Sequence, residues 1–127
     1  MKISLLAVLF FVSNLLAIEH PVTISLAKQS SGEYSLRVQV PAGFGIQREA
    51  PNRILLSGEG NLKVLNADLN FRGKPSLEKM EYFKKVDDMK VTVSGKGKLN
   101  INAKIFYCDF TKNICIPGQI QKTAEIN

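Results

Sequence analysis

The chain has 127 residues, 45% of them hydrophobic and 22% charged, a formal net charge of +6, two cysteines and one histidine. That length suits one domain built around a single core. The two cysteines make only half of a structural zinc site, with the lone His20 set apart near the N-terminus, and the scattered lysines and arginines form no basic stripe for nucleic acid.

In chain order, the first stretch is MKISLLAVLFFVSNLLA, residues 1–17. Lys2 supplies a short positive start, Ile3 to Val12 an apolar run, and Ala17 a small residue at the expected cut. The run is too short for a membrane span, and Ser13 and Asn14 interrupt it. Residues 1–17 read as a secretory signal peptide and 18–127 as the mature domain. With sixteen Lys+Arg against eleven Asp+Glu the mature part carries +5. It is expected to be soluble and monomeric, without stable membrane insertion, in a bacterial periplasm or outside the cell.

From Val22 onward the pattern has period two. Val22, Ile24 and Leu26 alternate with Thr23 and Ser25, then Tyr34, Leu36, Val38 and Val40 follow the Ser30-Ser31-Gly32 turn. Ile54 to Leu56, and Leu62 with Val64, mark two shorter strands. The segment Ser76 to Lys85 has apolar residues at spacing three (Leu77, Met80, Phe83). It reads either as one or two helical turns or as an irregular loop entering a strand. Met89, Val91 and Val93 precede Ser94-Gly95-Lys96-Gly97, a hairpin signal. Leu99, Ile101, Ala103, Ile105 and Tyr107 form the longest alternation, and Ile116 to Ile126 supplies a last strand. Seven or more short strands with turns between them predict an all-β fold, a single antiparallel sandwich of immunoglobulin-like type.

Both cysteines lie in FYCDFTKNICIPG, residues 106–118. An oxidising compartment makes a Cys108–Cys115 disulfide the default state. If the two flank a tight turn between antiparallel strands, they are directly opposed, about 4.5–5.5 Å apart at Cα. Closing so short a loop restrains the unfolded chain by only about 2.5 kcal/mol. Joining distant parts of the chain would stabilise more, so the spacing leans toward a local pair that opens and closes. Two readings stay open: a redox pair, or a structural disulfide in a domain that binds another exported protein by strand addition. Lys104 and Lys112 favour a thiolate and Asp109 opposes it. Tyr107 continues the inward alternation, while Phe110 is a hydrophobe in a turn and a candidate shield. No C-x-x-C occurs, and one histidine beside the cut leaves no Ser-His-Asp set. No cofactor is expected.

At YCDFTKNICIPG the chain resembles the N-terminal periplasmic domain of the thiol:disulfide interchange protein DsbD and the wider group of DsbD-like N-terminal domains. The matching residues are Tyr107, Cys108, Cys115 and Pro117. VPAGFGIQREAP (Val40 to Pro51) and NFRGK (Asn70 to Lys74) are further patches of likeness. The resemblance implies an immunoglobulin-like sandwich whose cysteine pair cycles between dithiol and disulfide, with Phe71 as a cap over it. It implies electron transfer from a membrane donor to periplasmic thiol–disulfide oxidoreductases. Cys108 would form the mixed disulfide and Cys115 would resolve it. With the sequence ending at Asn127, the electron donor is expected to be a separate protein.

Overall fold

In the computed structural model, residues 20–127 are described; the signal peptide expected over 1–17 lies outside them. Among the described residues every regular element is a strand. One antiparallel sheet has the order β1 (Thr23–Ser30), β2 (Glu33–Gln39), β8 (Met89–Ser94), β5 (Lys63–Ala67). The other is centred on β9 (Gly97–Asp109). On one side β9 pairs with β10 (Ile114–Ile126), and on the other with β3 (Phe44–Ile46) near its end and β4 (Arg53–Gly58) near its start. A two-stranded ribbon, β6 (Gly73–Pro75) with β7 (Phe83–Val86), stands apart.

The period-two patterns place one face of each sheet inward. Ile24, Leu36, Val38, Val91 and Val93 from the first sheet meet Ile54, Leu99, Ile101, Ile105 and Tyr107 from the second in one buried cluster. The molecule is thus an all-β, immunoglobulin-like antiparallel sandwich in a single domain. Among the described residues no helix is long and apolar enough to cross a membrane.

Two local expectations resolve or change. Ser76 to Lys85 forms no helix: a turn leads into β7, the second of the two readings. Leu77 is left 87% exposed and Met80 55%, because an apolar spacing of three gains nothing without a surface to cover it. Ser94 to Gly97 is not a hairpin, since β8 lies in the first sheet and β9 in the second. The glycines serve a crossing between sheets instead. Gly95 has φ 81°, and a Cβ there would run into the carbonyl of Asn61. The connection packs against the β4–β5 loop, which makes the same crossing.

Candidate functional site: a half-buried disulfide at the end of a hairpin

The site begins with alternation along β9. Residues 99, 101, 103, 105 and 107 are buried inward, so Phe106 and Cys108 point to the outer face of the sheet. Phe106 donates its N–H to Asn52 Oδ1 (2.8 Å) and accepts the Gln47 N–H (2.9 Å), and Phe110 donates to Gly43 O (2.9 Å). The even-numbered backbone groups thus point toward β3 and β4. Cys108 and Cys115, register partners across β9 and β10, are therefore a non-hydrogen-bonded pair, the type in which opposed residues come closest. Their Cα atoms are 3.9 Å apart and the sulfurs are bonded at 2.00 Å.

The turn beyond is fixed by its own side chains. Asp109 Oδ1 accepts the N–H groups of Thr111 (2.9 Å) and Lys112 (3.2 Å), an Asx-type closure. Asn113 takes φ 54°, a left-handed conformation that asparagine tolerates better than most residues. Phe110 to Asn113 make the loop, and all thirteen residues of β10 pair with β9 behind it.

The two sulfurs sit in different surroundings. Cys108 is 2% exposed although it lies on the outer face, whereas Cys115 is exposed. What lies over Cys108 comes from β3, the β6–β7 loop and the turn between β9 and β10. Gly45 is directly opposite Cys108, so its missing side chain leaves space on the face the sulfur occupies. A Cβ at Gly45 would meet Phe110 Cζ at 2.7 Å and Tyr82 Cδ1 at 2.9 Å, so these two rings fill that space. They pack edge to face with centroids 4.9 Å apart, and Lys79 Nζ lies 3.8 Å above the Phe110 ring. The loop carrying Tyr82 is tied down by Arg48, whose N–H bonds Glu81 O and whose Nη1 bonds Met80 O, both at 2.8 Å. Gln47, two residues past Gly45 and diagonal to Cys108, donates from Nε2 to Cys108 Sγ at 3.1 Å.

Of the residues singled out from sequence, Cys108, Cys115 and Phe110 come together here. Tyr107 is 4% exposed and faces the opposite way, into the core, against Phe44 and His20. Burial, with a smaller contribution from the Asp109 carboxylate, pushes its phenol above the ordinary value of 10.0. Phe71 packs against the hydrophobic core where the chain enters β6. Its neighbours Asn70 and Arg72 both bond Asp68, Arg72 at 2.7 Å. Sequence reasoning missed Gln47 and Tyr82. Gln47 is 61 positions from Cys108 and lies just past a three-residue strand whose pairing no local pattern announces.

No protein-family model matches the chain, and no curated protein matches it. Seven chains of solved structures do, one of which serves as an example. It is the crystal structure of the Neisseria meningitidis DsbD N-terminal domain in the reduced form, 12% identical over 88% of this chain and 89% of that one, with a TM-score of 0.45. At that identity residue roles do not pass from one chain to the other, and chemistry has to come from this chain's own geometry. Among the described residues no group of three or more His, Cys, Asp or Glu is placed to hold a metal ion.

Proposed function

We propose that the domain is an exported thiol–disulfide exchange module that passes reducing equivalents between a membrane electron donor and periplasmic oxidoreductases. The observation that carries this reading is the asymmetry of the disulfide, with Cys115 exposed and Cys108 buried. A dithiol partner supplies a thiolate that attacks Cys115 Sγ. A bond forms between the partner sulfur and Cys115, the Cys108–Cys115 bond breaks, and its electron pair leaves on Cys108 as a thiolate. The partner's second thiolate then attacks the partner sulfur of the mixed disulfide and releases Cys115. Two electrons have moved to this domain, and the partner is left as a disulfide. Reversal of the same steps, with the Cys115 thiolate attacking a disulfide, reduces a downstream protein. Exposure supports the mixed disulfide at Cys115 and the resolving step at Cys108, the reverse of the order implied by resemblance. Phe110, together with Tyr82, is the shield that restricts access to Cys108; Tyr107, in the core, and Phe71, packed against it, are supporting residues.

The long ladder behind the turn supports the same reading. Cys108 and Cys115 are held opposed by thirteen paired residues of β10, a ladder of backbone bonds that does not run through the sulfurs. Reduction is expected to leave the hairpin in place, as a cycle requires. The deciding measurement is the equilibrium of residues 18–127 with a glutathione or dithiothreitol series, followed by circular dichroism. A potential between about −180 and −270 mV with an unchanged spectrum is expected. A potential below about −300 mV, or unfolding on reduction, would leave the disulfide a structural link in a binding module.

A further inference from the structure

We infer that Gln47 is a catalytic residue of the exchange step, its side-chain amide stabilising the thiolate that leaves on Cys108. The inference rests on the exchange reading above and adds a group to it. Breaking the disulfide puts negative charge on a sulfur that is 2% exposed. Burial disfavours that charge, and the Asp109 carboxylate, on the next residue, disfavours it further. Asp109 Oδ1 is itself engaged by two turn N–H groups. The rings of Tyr82 and Phe110 on this side exclude water and carry no donor aimed at the sulfur. The Gln47 Nε2–H, 3.1 Å from Cys108 Sγ, is the side-chain donor recorded on either sulfur among the described residues. A hydrogen bond to a neutral disulfide sulfur is weak. Once the sulfur is charged, the same bond becomes charge-assisted. The interaction is thus stronger in the product-like arrangement than in the resting one, which is the condition for lowering a barrier.

Position supports the role. Gln47 is held by its backbone, donating its N–H to Phe106 O (2.9 Å) and accepting from Asn52 Nδ2 (2.7 Å). These bonds leave the side-chain amide free to serve the sulfur, and they survive a change of side chain. The contact is also one-sided. It biases departure toward Cys108 and so directs attack to Cys115, the sulfur a partner reaches.

The test uses Gln47→Leu and the isosteric Gln47→Glu in the full mature chain. Two readouts are taken: the rate of reduction by dithiothreitol, and thiolate absorbance against pH in the Cys115→Ser and Cys108→Ser backgrounds. Gln47→Leu is expected to slow reduction by about tenfold and to raise the Cys108 thiol titration by about one pH unit, with Cys115 unmoved. Gln47→Glu should slow it at least as much, because the donor is replaced by a like charge. Unchanged rates and an unchanged Cys108 titration overturn the inference, as does an equal displacement of both thiols. The parent's equilibrium with the dithiol reports separately on the exchange reading. A disulfide too stable to exchange, yet reduced tenfold more slowly in Gln47→Leu, keeps the role of Gln47 and ends the cycle. Free exchange at rates indifferent to residue 47 does the reverse.

Discussion

Gly45 has no side chain, and that absence shapes the site, because the space opposite Cys108 is taken by Phe110 and Tyr82. Gly45→Ala would place a methyl group 2.7 Å and 2.9 Å from those rings. The rings are expected to shift, at a loss of about 1–3 kcal/mol in unfolding free energy by urea titration. Alkylation of the Cys108 thiol in the Cys115→Ser background should then become faster; an unchanged rate would show that the rings do not guard it. Tyr107 gives a prediction in pH. Its phenol titrates above 10.0 when folded, so the unfolded chain ionises first as pH rises. Its contribution is whole below pH 10 and is lost as pH climbs through the folded value. Alkaline unfolding should accordingly weaken in Tyr107→Phe, measured as a shallower fall of stability above pH 10. At this scale the cysteines and Phe110 were legible, since spacing and turn chemistry are local. Gln47 and Tyr82 were not, because each reaches the site through pairing between segments far apart in sequence.

The β9–β10 hairpin is the element that presents the disulfide, and its legibility followed from length. Five inward residues at period two leave little choice of face. The shorter strands β3, β6 and β7 have too few residues to show a period at all. The Ser94 to Gly97 turn misled for a different reason: glycines that permit a tight hairpin equally permit a crossing between sheets, and only packing against the Asn61 carbonyl distinguishes the two. The element also sets what the disulfide contributes. Replacing both cysteines by serine should lower stability by about 2–3 kcal/mol, the entropy of an eight-residue loop, and leave the β spectrum intact. A larger loss, or a chain that no longer folds, would mean that the ladder depends on the bond.

At the scale of the whole molecule, a sandwich of two open sheets has edges, and the outer side of β10 is one of them among the described residues. Thirteen residues of unpaired edge invite another strand. Because Phe106 spends both backbone groups on the other side of β9, its partner Pro117 directs its own backbone outward. The position that would have offered an N–H to an approaching strand therefore offers none. Pro117→Val should restore that donor, with concentration-dependent self-association expected by light scattering; a variant as monomeric as the parent would show that the edge is guarded by something else. Two residues before the proline, Cys115 shares the same outward orientation. A passing chain can therefore reach the exposed Cys115 but meets no N–H donor at residue 117. In the exchange cycle proposed above, the proline would keep encounters at this end brief, so that one visitor is released before the next is met.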